Sequence, residues 1–231
     1  MCLPSAVATS SELSFLGVTS HAEADGSRAV AIDPAGDYLA VGFNDHTAIM
    51  WLENETLIQT IEVARPVETL EFSNNGEMLA IALSGSETEG DAIQLFNLSI
   101  MGLSSLQSSA NVFPKDIAWS PDDALLAIPN SNNGVDLIRT STMELERSLS
   151  GGHNTDVSCI DFTSNGGHIL TGDESGRLIM WNADGTETNK QWELDSEVSS
   201  CGFDPTDTRI ASLTVNGKLD TMSFAGGTLQ T

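Results

Sequence analysis

Five times along this chain a large apolar residue returns at nearly the same interval: Ile32, Phe72, Trp119, Phe162 and Phe203, in steps of 40, 47, 43 and 41 residues. Each anchor opens a similar stretch, with an apolar alternation, a Pro/Asn/Asp/Gly turn, a second apolar strand, another tight turn and a third strand. Unit one reads AVAIDPAGDYLAVGFNDHTAIMW and unit four VSCIDFTSNGGHILTGDESGRLIMW. In four units, 19 residues separate the anchor from the residue closing the third strand, which is Trp51, Ile138, Trp181 or Met222. Unit two takes 24 and closes on Phe96, its excess lying in the polar segment Ser84-Gly85-Ser86-Glu87-Thr88-Glu89-Gly90. Extra length confined to a turn is tolerated because closure entropy grows slowly with loop size. No unit of this kind buries its apolar face alone, so the units must stack on one another.

Within a unit the pattern is that of an antiparallel meander. Leu39 and Val41, or Leu79 and Ile81, alternate with neighbours facing the opposite side, and most of these are small or apolar, as in sheets packed on both faces. The turns are Asp33-Pro34-Ala35-Gly36, Ser73-Asn74-Asn75-Gly76, Ser120-Pro121-Asp122-Asp123 and Asp204-Pro205-Thr206-Asp207. Pro fixes φ at the second position, and Gly, Asn or Asp tolerates the left-handed position that follows. A period in the forties with several short strands per unit is the mark of a WD-repeat β-propeller. The expectation is an all-β fold of five four-stranded blades, near 28–63, 66–98, 114–149, 153–194 and 197–231, with 1–27 as a lead-in or remnant of a preceding blade. Thr56 to Val63 and Met143 to Leu149 read as outer strands, and Ser99 to Asn111 reads as a low-complexity loop. The last unit lacks a convincing outer strand, since Ala225-Gly226-Gly227-Thr228-Leu229 is short and Gly-rich. Seven blades are the common number for such rings, so the chain is expected to belong to a longer protein. An open ring exposes blade faces and strand edges, and an isolated preparation is expected to be oligomeric or poorly soluble.

Unit four carries the fullest WD-repeat pattern: Gly152-His153 ahead of the first strand, Thr171 in the second and Trp181 closing the third, with 28 residues from His153 to Trp181. In such families a histidine, a Ser/Thr, a turn aspartate and the Trp ring nitrogen form a hydrogen-bond chain that clamps the blade. Ser175 is read here at the turn position, and Asn182 follows Trp181 where the name-giving Asp would stand. A hydroxyl in place of a carboxylate weakens the chain, because charge-assisted bonds are roughly twice as strong. Unit one keeps Asp45 and Trp51 but has Val41 at the hydroxyl position. The clamp is therefore assigned to His153, Thr171, Ser175 and Trp181, with packing expected to hold the other blades.

Composition narrows the function. Nine basic against 33 acidic residues leave a net charge of −24, which repels phosphate backbones and argues against direct nucleic-acid binding. The charge serves either to attract basic partners or only to keep the molecule soluble. Cys2, Cys159 and Cys201 are few, odd in number and not at metal-ligand spacing, which fits a reducing compartment. No stretch approaches the roughly 20 apolar residues of a membrane span, and no basic region precedes an apolar core, so secretion is not expected. Phosphate loops, nucleophile elbows and EF-hand ligand patterns are absent from the sequence. Glu87, Glu89 and Asp91 read as a solvated acidic loop and Asp122-Asp123 as a turn pair. His21, His46 and His168 read as turn or surface residues, and Trp192 as packing between blades. No catalytic residue, cofactor or metal ligand is assigned.

The order of units narrows the family. Unit three reads IAWSPDDALLAIPNSNNGVDLI, with Ala127-Ile128-Pro129 ending its second strand, unit four opens on Gly151-Gly152-His153, and unit five reads GFDPTDTRIASLTVNGKLDTM without aromatic closure. Over residues 28–224 the series resembles the third to seventh blades of the N-terminal propeller of the acidic nucleoplasmic DNA-binding protein family, the chromosome transmission fidelity adaptors. The resemblance implies a nuclear, non-catalytic, homo-oligomeric adaptor that links the replicative helicase to DNA polymerase α and serves sister-chromatid cohesion. It carries no partner-binding residue onto these positions. The alternative is a WD-repeat scaffold of another complex, in ribosome biogenesis, the cytoskeleton or ubiquitin ligation, in the nucleus or the cytoplasm.

Overall fold

The computed structural model describes residues 27–44, 47–52, 57–63, 65–84, 93–106, 114–184, 186–224 and 229–230. These form five four-stranded antiparallel sheets, each built from strands consecutive in the chain. Blade one holds β1 (Ser27–Ile32), β2 (Tyr38–Phe43), β3 (Thr47–Leu52) and β4 (Leu57–Glu62), and blade two holds β5 (Val67–Phe72), β6 (Met78–Leu83), β7 (Ile93–Asn97) and β8 (Gly102–Leu106). Blade three follows with β9 (Ala118–Trp119), β10 (Leu125–Asn130), β11 (Gly134–Arg139) and β12 (Glu144–Leu149). Blade four has β13 (Val157–Phe162), β14 (His168–Asp173), β15 (Arg177–Asn182) and β16 (Glu187–Glu193), and blade five β17 (Val198–Phe203), β18 (Arg209–Thr214), β19 (Leu219–Ser223) and β20 (Leu229–Gln230). The architecture is a β-propeller.

The first turn of every blade is closed in the same way. Its leading side chain accepts the backbone N–H five residues on: Tyr38 N–H to Asp33, Met78 to Ser73, Leu125 to Ser120, His168 to Thr163 and Arg209 to Asp204, at 2.6 to 2.9 Å. A short polar side chain thus does locally what a ladder bond does elsewhere, and the hairpin register follows.

The core is divided among the junctions between blades. Ala40 and Ile61 of blade one meet Val67, Leu70 and Phe72 of blade two. Ile93 and Leu95 meet Ile117 and Trp119, Val135 and Leu137 meet Ile160 and Phe162, and Leu178, Met180 and Trp192 meet Val198, Ile210 and Met222. Burial of each such side chain contributes about 1.5–3 kcal/mol, so the stacking of blades carries most of the stability. Trp192 lies in the last cluster, between blades four and five.

Three sequence expectations change. The segment read as a loop from Ser99 contains β8, which pairs with β7 from Ile93↔Leu106 to Asn97↔Gly102; an outer strand needs only backbone pairing, so its Ser-rich sequence gave no sign of it. The last blade does have an outer strand, β20, two residues long, with Thr221↔Gln230 and Met222↔Leu229 in register. The cysteine count hid a pair: Cys159 of β13 and Cys201 of β17 are joined by a disulfide across the junction of blades four and five. Their separation of 42 residues is one blade period, which brings equivalent strands side by side. Asp45, His46, Glu87, Glu89, Asp91, Cys2 and His21 lie outside the described residues. Among the described residues no helix is long and apolar enough to cross a membrane.

Candidate functional site

His153 enters just ahead of β13, and Thr171, Asp173 and Trp181 lie on β14 and β15. Thr171 pairs directly with Ile179, while Trp181 pairs with Ile169, two residues before Thr171, so the indole lies diagonally across from the hydroxyl. The Trp181 indole N–H donates to Thr171 Oγ1 at 2.8 Å, and Thr171 Oγ1 lies 2.6 Å from His153 Nε2. His153 Nδ1 lies 2.8 Å from Asp173 Oδ2. A carboxylate only accepts, so Nδ1 carries its hydrogen and Nε2 accepts the Thr171 hydroxyl. His153, Thr171 and Trp181 are therefore bonded in series, and the carboxylate at the end of the series is Asp173.

Ser175, read at that place from the sequence, stands one step behind. Its hydroxyl donates to Asp173 Oδ1 at 2.7 Å, and Oδ1 also accepts the Ser175 and Arg177 backbone N–H groups, both at 2.9 Å. Burial pushes the Asp173 carboxyl up, but the bonds from His153, Ser175 and Arg177 outweigh it and hold the group at about 2. The chain of bonds is thus charge-assisted after all, and the expected weakening by a hydroxyl does not apply. Gly152 lies against this network: a β-carbon there would stand 2.5 Å from Ile179 Cδ1 and 3.0 Å from the Trp181 ring. With the His153 and Asp173 side chains 1% and 0% exposed, no polar atom of the set is left to meet a substrate. The arrangement locks a blade.

Neighbouring blades are tied by carboxylates that sequence reasoning missed. Asp116, ahead of β9, accepts the Ile160 N–H at 2.9 Å, and Asp161 of β13 accepts the Phe203 N–H at 2.6 Å. The Trp119 indole N–H donates to the Glu71 carbonyl at 3.2 Å. Glu71 Oε2 is buried without a hydrogen-bond partner. Burial, reinforced by the charges of Asp116, Asp161 and Asp123, pushes the Glu71 carboxyl up to about 9. Burial pushes Asp116 up to about 7 against the N–H groups of Ile160 and Ile117, and Asp161 is raised for the same reason. The signal for Glu71 and Asp161 was present in the sequence as an acid wedged into an apolar strand, Leu70-Glu71-Phe72 and Ile160-Asp161-Phe162. Among the described residues no group of three His, Cys, Asp or Glu side chains could hold a metal ion.

A second set of ties joins the first turns. Asp123 and Asp207 occupy left-handed positions, φ 57° and 54°. The Asp123 carboxylate accepts the Asn74 and Asn75 N–H groups at 2.7 and 2.8 Å, and that of Asp207 accepts the Ser164 N–H at 2.9 Å. In the other two junctions the preceding turn has Pro34 or Pro121, which offers no N–H, and the following turn has Gly76 or Gly166 in the left-handed position. Asp answers an N–H, and Gly answers a proline. Where the tie is missing between blades three and four, a cleft of about 350 Å³ opens beside Pro121, Phe162, Asn165 and Gly166.

Comparison with known proteins agrees with this geometry. No curated protein matches the chain. The WD domain, G-beta repeat family matches residues 14–51, over the first blade. The family described as IFT140 first beta-propeller matches residues 55–210, more than half of the chain. With its stacked blades and a hydrogen-bonded His–Thr–Trp series in the fourth, this chain is a WD-repeat β-propeller and belongs to the IFT140 first beta-propeller family.

Proposed function

We propose that this protein is a non-catalytic protein-interaction scaffold working inside a larger assembly. One observation carries the reading: the polar groups converging in blade four, His153, Thr171, Asp173 and Trp181, are all consumed by one another and by the Ser175–Arg177 turn. What the molecule offers outward is surface, strongly negative and made of turns and sheet faces.

Two assemblies compete. The order of units three to five supports a nuclear replisome adaptor joining the replicative helicase and DNA polymerase α. The family match over residues 55–210 favours the other reading, a scaffold of a different complex. Affinity purification of the tagged chain from its own cells, followed by identification of the proteins that co-elute, separates them. Helicase and polymerase α subunits support the adaptor. Their consistent absence beside a different reproducible set of partners overturns it in favour of the second reading. Recovery of the chain with no stoichiometric partner overturns the scaffold reading itself.

A further inference from the structure

We infer that the cleft between the first turns of blades three and four takes a short segment of a partner protein, an apolar side chain followed by a basic one. The inference rests on the scaffold reading and names one surface through which it works. Both walls are internal: blade two packs on the far side of blade three, and blade five on the far side of blade four. The cleft opens because the tie between first turns is missing there. Pro121 offers no N–H and Gly166 brings no carboxylate, in contrast to the Ser164 N–H and Asp207 one junction later. In the matching gap between blades one and two, the Asp33 carboxylate comes within 3.6 Å of a β-carbon at Gly76, so the leading side chain reaches into the gap. Blade three leads with the shorter Ser120, and only the Pro121 ring comes that near to Gly166.

Two kinds of wall meet in the cleft. Pro121, Leu125, Phe162 and Ala183 supply an apolar floor, and Asp122 and Asn165 stand exposed at its edge. A volume of about 350 Å³ lies at the lower end of the range for small-ligand sites, about 300–1,000 Å³, and suits one large side chain with the backbone beside it. Both bonds made to the Asp122 carboxylate, from the Ser120 hydroxyl at 2.7 Å and the Ala124 N–H at 3.1 Å, fall on Oδ1. These bonds hold the carboxyl below its usual range, and Oδ2 is left to accept from a cation. Asn165 uses its side-chain oxygen in the same way, on the Thr163 hydroxyl and the Gly167 N–H, and its amide hydrogens are left for a peptide carbonyl.

Charge decides the occupant. No basic side chain lines the cleft, and no cation is among the groups that act on Asp122. Asp207 is bonded to the N–H and hydroxyl of Ser164 on one side, and Asp184 follows Ala183 in the chain on the other. Arg147 lies close enough to Asp184 to offset its charge in part. With a net charge of −24 on the molecule, an acidic segment is repelled on approach and a basic one is drawn in. The same field turns away a nucleic acid. What sets this cleft apart from the rest of the acidic surface is its apolar floor. The partner therefore needs both features, a Leu-like side chain on Leu125 and Phe162 and an Arg or Lys against Asp122.

Fluorescence polarisation of labelled peptides on the whole chain tests this, with Gly-Gly-Leu-Arg-Gly-Gly, its Ala-Arg form and its Leu-Glu form as probes. Saturable binding of the first is expected, with the second weaker by about tenfold and the third not bound. Asp122→Asn keeps the Oδ1 bonds and weakens binding about two- to fivefold, the range of an exposed ion pair. Ala183→Trp, at a partly exposed position, covers the floor and abolishes binding with circular dichroism unchanged. Pro121→Ser together with Gly166→Asp installs the tie that Ser164 and Asp207 make, and removes binding although it adds a carboxylate. Glu144→Gln, an exposed acid on β12, leaves binding unchanged. Equal binding of the three peptides, tighter binding of the Leu-Glu form, binding untouched by the cleft variants, or no saturable binding overturns the inference. Self-association of the chain that disappears with Ala183→Trp gives the cleft to a second copy and overturns it too. Absence of peptide binding in a chain whose partners still co-elute leaves the scaffold reading intact; peptide binding without any co-eluting partner does the reverse.

Discussion

Blades two and four solve the same packing problem with opposite chemistry. In blade four the positions around the closing aromatic are His153, Thr171, Asp173 and Trp181, joined by hydrogen bonds. The same register positions in blade two are Val63, Ile81, Leu83 and Phe96, all in one apolar cluster. Exposure is nearly equal: Val63 8%, Ile81 0%, Leu83 0% and Phe96 2%, against 7%, 0%, 0% and 2% in blade four. Blade five is a mixture: the same positions hold Leu194, Ser212, Thr214 and Met222, and while the Thr214 hydroxyl donates to Asn216 Oδ1 at 2.6 Å, the buried Ser212 Oγ has no hydrogen-bond partner. Buried polar groups stabilise only when each has its partner, so a complete network and a complete absence of one are both favourable, and an unpartnered hydroxyl such as that of Ser212 costs its blade stability.

The largest effect expected from this contrast is the loss of one member in blade four. Asp173→Ala leaves the His153 ring nitrogen and the Arg177 N–H without their acceptor, while the Ser175 N–H keeps Thr155 Oγ1. Breaking a buried pair from one side costs about 3–5 kcal/mol, read as a lower urea midpoint. Were the loss no greater than for an exposed residue, the clamp would be decoration and packing alone would hold blade four.

The two blades also answer pH in opposite directions. Asp173 is held at about 2, below its ordinary 3.8, so its contribution is complete above the ordinary value and disappears as pH falls through about 2. That limb amounts to about 2 kcal/mol. Glu71 is raised from 4.5 to about 9, so its contribution is complete below 4.5 and is lost as pH rises through about 9, with Asp116 lost earlier, through about 7. Urea titrations across the pH range are expected to show stability falling at both ends. Asp173→Asn flattens the acid limb and Glu71→Gln the alkaline one. A Glu71→Gln protein that still weakens in alkali as the parent does would remove Glu71 from this role.

The repeat itself was legible because it is local. Anchors at fixed spacing, alternation and turn residues name the strands within a few positions, and the four inner blade ends follow from them. What the sequence hid depends on neighbours a blade away. Cys159 and Cys201 become partners only when β13 and β17 lie side by side, and Asp116 finds the Ile160 N–H only across a junction. The clamp was nearly legible. Asp173 and Ser175 differ by two positions in one polar turn, and the bonding order among Asp173, Ser175 and Arg177 is decided by which carboxylate oxygen faces inward, which no spacing records. In blade two the absence of polar residues at the clamp positions was visible in the sequence, but not that Val63, Ile81, Leu83 and Phe96 fill the same volume.

A smaller effect comes from carrying one polar group into the apolar blade. Ile81→Thr places a hydroxyl where Thr171 stands in blade four, but with Val63 and Phe96 beside it in place of a histidine and an indole. A buried hydroxyl without a partner costs about 1–3 kcal/mol, and the lost methyl group belongs to that range. Stability of Ile81→Thr equal to the parent would mean that blade two can supply a partner after all, and the sharp division between the two chemistries would fail.

The smallest effect is expected from the largest change. His153→Val, Thr171→Ile, Asp173→Leu and Trp181→Phe, made together, give blade four the set that blade two already carries. Two side chains shrink and two grow, so the total volume is nearly kept, and the strand register around them is the same. Replacing a buried ionic network by apolar groups of similar volume is often neutral or stabilising, so the fourfold variant is expected to lie within about 1 kcal/mol of the parent. Ser175 and the Arg177 N–H lose their acceptor, but they sit in a turn where water can replace it. The decisive reading is the order of urea midpoints: the fourfold variant above Asp173→Ala, although it contains a change at the same residue. If the order is reversed, the bonds of blade four stabilise it beyond what apolar packing can match, and the two blades are not equivalent solutions.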